Sequence, residues 1–508
     1  MNFKKLLLAG CCLLAASISK GQTSQADLFG EPYRPQIHFS PKLHWTNDPN
    51  GMVYYKGVYH LFFQHYPAGT VWGPMHWGHA TSKDLVHWQE QPIALYPDSL
   101  GYIFSGSAVA DVNNTSGFGK DGKPPLVAIF THHDPKGEKE KSDKFQNQSL
   151  AYSLDDGKAW TKYEGNPVLR NPGITDFRDP KVMWYEAGKK WIMTLATKDR
   201  ITFYSSPNLK EWNLESEFGK DLGAHGGVWE CPDLFPLSLN GKQYWILIVS
   251  INPGGPNGGS ATQYFVGDFD GKNFRPRDTT VRWIDYGPDD YAGITWSNTG
   301  SRKIFLGWMS NWIYANEVPT EKWRNAMTIP RELSLKKEGQ NILVASTPVK
   351  ELGVITTGKS VSLSKLDIGK GDLSDKTGSL PGQFELKITG KLLKDFSLEL
   401  SDVNGEKLKI GFDSKVNAYY IDRVNSGQTD FNKEFAARHT AARLTAGKAF
   451  DLTLIVDRAS VELFADNGLT VMSSIFFSKQ PFTKLSATAE ESLLVDELRI
   501  TPLKSIWK

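Results

Sequence analysis

The stretch Lys56-Gly57-Val58-Tyr59-His60-Leu61-Phe62-Phe63 places a polar turn directly ahead of a very apolar run. The same plan returns as Lys123-Pro124-Pro125-Leu126-Val127-Ala128-Ile129-Phe130 and as Lys189-Lys190-Trp191-Ile192-Met193-Thr194-Leu195. It appears again as Lys242-Gln243-Tyr244-Trp245-Ile246-Leu247-Ile248 and as Arg302-Lys303-Ile304-Phe305-Leu306-Gly307-Trp308. The copies lie roughly 50 to 65 residues apart, a period expected of propeller blades, and five copies predict five blades. Helical periodicity is scarce. Short β-branched and aromatic runs separated by Gly, Asn, Asp and Pro point to an all-β chain.

A second repeat follows the first. Ser82-Lys83-Asp84-Leu85-Val86-His87-Trp88, Ser153-Leu154-Asp155-Asp156-Gly157-Lys158-Ala159-Trp160 and Ser206-Pro207-Asn208-Leu209-Lys210-Glu211-Trp212 share one plan. A Ser and an Asx residue shape a turn, and a Trp packs beneath it, as expected of outer blade hairpins. The pattern changes near Thr347-Pro348-Val349-Lys350. Beyond it Phe384-Glu385-Leu386-Lys387-Ile388, Phe396-Ser397-Leu398-Glu399-Leu400, Phe450-Asp451-Leu452-Thr453-Leu454-Ile455-Val456 and Val461-Glu462-Leu463-Phe464 alternate between polar turns, which reads as a β-sandwich. The expected organisation is a signal peptide over 1–22, a five-bladed β-propeller over 33–346 that carries the chemistry, and a C-terminal β-sandwich over 353–508 without a catalytic constellation.

The length of 508 residues fits two domains, and 40% hydrophobic with 22% charged residues is ordinary for a globular protein. A net charge of +2 gives no reason to expect a nucleic-acid partner. The 12% aromatic share, with 16 Trp, suits either β-rich cores or sugar stacking, and the core accounts for most of it. Met1-Asn2-Phe3-Lys4-Lys5 followed by the apolar run from Leu6 to Ser17 reads as an export signal, too short to span a bilayer. No later segment is long enough for a transmembrane helix. Leu8-Ala9-Gly10-Cys11 resembles a lipoprotein box, but apolar residues continue past Cys11, so ordinary cleavage near Gly21-Gln22 is preferred. The expected location is periplasmic or extracellular. Cleavage leaves Cys231 alone, so no internal disulfide is expected.

Three acids stand at the mouths of separate strand-like runs, each beside a proline. They are Asp48 in Trp45-Thr46-Asn47-Asp48-Pro49-Asn50-Gly51, Asp179 in Phe177-Arg178-Asp179-Pro180, and Glu230 in Trp229-Glu230-Cys231-Pro232. Taken singly, each has a plainer reading: a turn, a surface ion pair, a solvated loop acid. In a propeller, however, the innermost strand of each blade starts at the central channel, so three such acids converge on one face. Paired carboxylates are what cleavage of a glycosidic bond requires.

Other candidates are weaker. His76, His79, His132 and His133 lack partners at a ligand spacing, so no metal and no cofactor is expected. Cys231 reads as a small hydrophobe. The Ser153-to-Trp160 string also matches the Asp-box turn of sialidases, but the arginine cluster and Tyr nucleophile those enzymes need have no clear counterpart here.

At these residues the chain resembles glycoside hydrolase family 32, the invertase, levanase and inulinase group. Trp45-to-Gly51 is similar to the family's first signature, with Thr46 where Met or Ile is more usual. Phe104-Ser105-Gly106-Ser107, Arg178-Asp179-Pro180 and Glu230-Cys231 resemble the next three. Trp72-to-His79, Asp290-Tyr291-Ala292 and Pro330-Arg331-Glu332-Leu333 resemble further stretches. The resemblance implies a five-bladed propeller with a sandwich and retaining, exo-acting cleavage of levan, inulin, fructo-oligosaccharides or sucrose. Asp48 would be the nucleophile, Glu230 the acid/base and Asp179 the transition-state stabiliser. Asn47, Gln64, Trp72, Phe104, Ser105, Arg178, Tyr291 and Trp308 would line the fructose pocket.

The chemistry agrees with the residues. A carboxylate must meet the anomeric carbon of an oxocarbenium-like state, and the opposite acid must carry a proton for the leaving oxygen. Arg178 is expected to keep Asp179 ionised. Fructosyl transfer on the same site, an endo-acting levanase and an inverting five-bladed arabinofuranosidase or xylosidase are the alternatives, and a non-catalytic fructan-binding protein would not need both Asp48 and Glu230.

Overall fold

A computed structural model describes residues 28–369 and 371–507, so the proposed signal segment lies outside the described residues. The chain is all-β. Four- and five-stranded sheets succeed one another along the first part of the chain, opening in turn on His44–Tyr55, Tyr102–Ala110, Phe177–Tyr185, Val228–Leu239 and Tyr291–Thr295. Each opening strand packs against the next, and Tyr291–Thr295 packs back on His44–Tyr55. The ring is clasped twice. Trp323–Arg324 pairs in parallel with His44 and Trp45, and the Tyr54 N–H donates to the Ser297 carbonyl at 2.9 Å. This closure covers both ends of the first opening strand's free edge, and the result is an N-terminal propeller.

The repeated turn-and-strand stretches are the second strands of these sheets: Val58–Tyr66, Leu126–His133, Lys190–Thr197, Lys242–Asn252 and Lys303–Met309. They lie between neighbours, so they are buried on both faces and read as unbroken apolar runs. The Ser/Asx repeat forms side-chain-capped turns after the third strands. Asp84 Oδ1 accepts from the Val86 and His87 N–H groups at 3.0 and 2.8 Å. Asp155 and Asn208 do the same for Ala159 and Lys210, and the Trp160 and Trp212 indoles donate back into the turn.

Two six-stranded sheets make the C-terminal sandwich. Phe384, Leu386 and Ile388 on one sheet, and Phe396, Leu398 and Leu400 on the other, point inward and are buried, each stabilising by roughly 1.5–3 kcal/mol relative to exposure. Two strands break the half-buried pattern. Ser460–Ala465 and Thr470–Ile475 are buried at every position because their outer face meets the propeller. Ile455, Phe464 and Val471 share a core with Ile329, Val349 and Leu352 across this boundary. Glu462, an outward position of an alternating strand by sequence, is therefore wholly buried.

Candidate active site

Every opening strand pairs across an irregularity close to one of the candidate residues. The pairing register shifts between Thr46 and Pro49, between Ile103 and Gly106, between Glu230 and Asp233, and between Tyr291 and Ile294. A shift also falls on Lys190–Thr197, opposite Arg178-to-Lys181. Such bulges re-aim a side chain beside an active site. They also explain the prolines, because Pro49, Pro180 and Pro232 sit where the ladder asks for no N–H. Asp179, Cys231 and Ala292 adopt φ of 63°, 44° and 54°, a left-handed region that costs energy for non-glycine residues. The acids thus lie inside strands, on bulges, and Asp48-Pro49-Asn50-Gly51 is part of a strand rather than a turn.

The bulges bring the three acids together. Asp48 is held by the Asn47 amide at 2.9 Å on one oxygen and by the Ser105 hydroxyl at 2.6 Å on the other. Asn47 is itself fixed by the Trp45 indole N–H at 2.7 Å. Asp179 accepts from the Cys231 N–H at 3.1 Å, while its own N–H donates to Thr131 Oγ1. The Thr131 hydroxyl donates to Gln148 Oε1, and the Gln148 amide nitrogen donates to the Phe177 carbonyl. Glu230 accepts the Arg178 guanidinium through Nε at 3.1 Å and Nη2 at 2.9 Å, and its second oxygen takes the Tyr291 hydroxyl.

Arg178 is placed differently from the expectation. Its donors go to Glu230 and to Asp176, and its Nε stays 4.0 Å from Asp179. Asp179 is therefore not kept in its usual range. Burial, with Glu230 and Asp48 nearby, outweighs Arg178 and pushes it up to about 7. Asp48 is also raised, by burial first and then by Glu230, against the hydrogen bonds from Ser105 and Asn47. Burial and the neighbouring carboxylates thus favour the protonated form of both Asp48 and Asp179.

The expected pocket residues surround this cluster. Gln64 stands across the bulge that holds Asn47 and Asp48, and Trp308 pairs with Tyr291. The Gln64 amide nitrogen and the Trp308 indole nitrogen are buried donors without a protein partner. Phe104 stacks on His133 at 4.1 Å, and Trp72, 39% exposed, meets its edge at 6.1 Å. The sequence reading missed Cys231, whose thiol points at Asp48 and Asp179 at 3.4 and 3.6 Å. It also missed Asp176 and Trp312, the latter stacked on Trp45 at 5.9 Å. The histidines have structural partners: His132 bonds Ser149, His79 stacks on Phe62, and His133 bonds Glu138. Among the described residues no cluster of His, Cys, Asp or Glu is arranged to hold a metal ion. A cavity of about 840 Å³ lined by Trp184, Trp245 and Lys303 opens at the other end of the same strands and includes none of the three acids.

Comparison with known proteins identifies the family. Residues 38–346 match the family model described as Glycosyl hydrolases family 32 N-terminal domain, and residues 351–502 match Glycosyl hydrolases family 32 C terminal. The chain belongs to glycosyl hydrolase family 32. It is therefore a glycosidase. A levanase of Bacillus subtilis (strain 168) is 46% identical over 97% of this chain and 74% of the relative. An extracellular exo-inulinase of Aspergillus awamori is 40% identical over 88% of this chain and 90% of the relative. Among solved structures, exo-inulinase from Aspergillus awamori superposes with a TM-score of 0.86 at 37% identity, covering 94% of this chain and all of that one. Fructofuranosidase from Schwanniomyces occidentalis complexed with fructose gives 0.84 at 35%, covering 93% of this chain and 98% of that one.

Proposed function

We propose that this family 32 glycosidase releases single fructose units from β-fructosides with retention of configuration. Asp48 is the nucleophile, Glu230 the acid/base and Asp179 the transition-state stabiliser. One observation carries the reading: carboxyls from three separate sheets gather in one place, Asp48 and Asp179 on Cys231 and Glu230 on the neighbouring Arg178 and Tyr291. A structural ion pair needs one acid, whereas retaining glycosidic cleavage needs a nucleophile and a proton donor together.

In the first step an Asp48 oxygen bonds to the anomeric carbon of fructose as the bond from that carbon to the leaving oxygen breaks. Glu230 gives its proton to that oxygen. In the second step the oxygen of a water bonds to the same carbon, Glu230 takes the water's proton, and the Asp48 ester bond breaks. Asn47 and Ser105 hold Asp48 aimed. Asp179 accepts fructose hydroxyls. Those hydrogen bonds favour its charged form. Gln64 and Trp308 contribute their free donors to sugar hydroxyls, because a buried donor gains most when a ligand completes it. Trp72 and Phe104 form the rim beyond the fructose.

The five sheets act as the five blades of the propeller, with 33–346 as the catalytic unit and 353–508 as the sandwich. The basic and apolar start of the chain and relatives named as extracellular support export. No helix among the described residues is long and apolar enough to cross a membrane. The exo-inulinase names among the relatives support exo action on inulin, and the levanase and invertase names support levan and sucrose as substrates. Thin-layer chromatography of early products tests the whole reading. Fructose alone is expected from fructans, and glucose with fructose from sucrose. A ladder of oligosaccharides from levan or inulin would replace exo with endo action, and elongation of sucrose would replace hydrolysis with transfer.

A further inference from the structure

The acid/base is connected to the sandwich. Glu230 takes the Tyr291 hydroxyl, and the residue before Tyr291 is Asp290. Asp290 Oδ2 accepts from Arg331 Nη1 at 2.8 Å. Arg331 Nε and Nη2 both donate to Glu462 Oε2, Nε at 3.0 Å. Arg331, Asp290 and Glu462 are all buried. The other Glu462 oxygen is occupied by the Ile329 N–H at 2.9 Å and the His38 ring at 2.8 Å, so the carboxylate has a single orientation. Asp290 has little room to move the other way: a Cβ at Gly307 would come within 2.0 Å of its Oδ1. The segment leading to Tyr291 is tied to the same sandwich strands. The Ser473 N–H donates to Asp285 at 2.8 Å, and the Tyr286 N–H donates to the Val471 carbonyl at 2.8 Å.

We propose that Glu462, a residue of the C-terminal sandwich, is a positioning residue for the reaction: through Arg331 and Asp290 it fixes the Tyr291 hydroxyl on Glu230. This rests on Glu230 being the acid/base. The physical reason is the backbone at Tyr291-Ala292. Ala292 is held at φ 54° on a bulge, a conformation that persists only where the surroundings over-determine it. The Arg331 fork supplies that restraint immediately upstream. Without it the bulge relaxes, and the hydroxyl that orients Glu230 toward the leaving oxygen moves away. Asp48 is held by Asn47 and Ser105 on other sheets and keeps its place.

A residue that only staples two domains together would, when changed, lower the active fraction for every substrate alike. A residue that positions the acid/base matters in proportion to how much the leaving group needs a proton. Full-length Glu462→Gln is compared with wild type on sucrose and on p-nitrophenyl β-fructofuranoside. The expected result is a kcat on sucrose lowered about tenfold, the scale of a small misplacement of a catalytic group. The aryl substrate, whose leaving group departs unprotonated, should lose less than about twofold in its fructosylation burst rate. Equal losses on both substrates, or none on sucrose, overturn the proposal. If Glu462→Gln does not fold, Asp290→Asn takes its place, because it leaves the Arg331–Glu462 contact between the domains intact and weakens only the charged bond from Arg331 to the residue before Tyr291; the same split is expected and equal losses again overturn it. Glu230→Ala runs in parallel. A split there without one in the other variants overturns positioning alone. No split in Glu230→Ala overturns the acid/base assignment, and the proposal with it.

Discussion

At the scale of the residue, Asp179 carries the conflict between binding and stability. It is buried, it faces two other carboxyls, and it titrates at about 7 instead of 3.8. An acid whose folded value is raised binds its proton more tightly folded than unfolded. Stability is therefore lost as pH rises from about 4 to about 7, and the loss is complete above that. Asp179→Asn removes the loss. The variant should melt higher than wild type at pH 8, by about 2 °C or more, and the difference should vanish near pH 4. Its kcat should fall by about 10² to 10⁴, the usual effect of removing one preorganised transition-state contact. A scanning-calorimetry series across pH, beside kcat on sucrose, checks both. A variant that melts lower than wild type at pH 8 would refute the cost assigned to this carboxylate.

At the scale of the element, the strands were legible and their irregularities were not. Lys242-to-Ile248 reads as a buried strand because its apolar run reflects burial on two faces. The acids read as strand mouths because each stands beside a proline, a property of the local sequence. The bulges could not be read in the same way. A bulge is an agreement between two strands about register, and Glu230-Cys231-Pro232-Asp233 holds only half of it. For the same reason the partner of Arg178 was misjudged. The adjacent Asp179 is nearer in sequence, but the bulge at Glu230 delivers that carboxylate to the guanidinium instead. Gly106 tests how closely the bulges are built. A Cβ there would meet the Ile129 carbonyl oxygen at 2.1 Å, backbone that cannot swing aside. Gly106→Ala should cost about 1–3 kcal/mol of stability, as overpacking does. It should also lower kcat, because Ser105 loses its aim at Asp48. A denaturant midpoint unchanged from wild type would show that the second sheet has slack.

At the scale of the whole molecule, an N-terminal propeller followed by a C-terminal sandwich was legible from the change of pattern along the chain, but what joins them was not. Val461-Glu462-Leu463-Phe464 alternates as a half-exposed strand would, and nothing in it announces a second buried face. That face holds charges. His38, from the propeller side, sits between Asp457 and Glu462 at 2.8 Å to each, and Arg423 reaches from the sandwich to Asp289 at 2.7 Å. Separating the domains would leave these groups buried or newly exposed without partners, so unfolding of either should bring down the other. One calorimetric transition is expected, and two well-separated ones would refute the coupling. The histidine gives the coupling a pH signature. Burial lowers its affinity for a proton, but the two carboxylates outweigh burial and raise it to about 9 from 6.5. A base whose folded value is raised contributes its full stability below 6.5, and that contribution is lost as pH rises to about 9. This window lies above the one assigned to Asp179, so the two can be separated. The wild-type melting temperature should keep falling between pH 7 and pH 9. In His38→Gln, which keeps a side chain able to donate to only one of the two carboxylates at a time, the curve should start lower and run flatter over that range. If the variant and wild type fall in parallel from pH 7 to pH 9, the charge on His38 is not what binds the sandwich to the propeller.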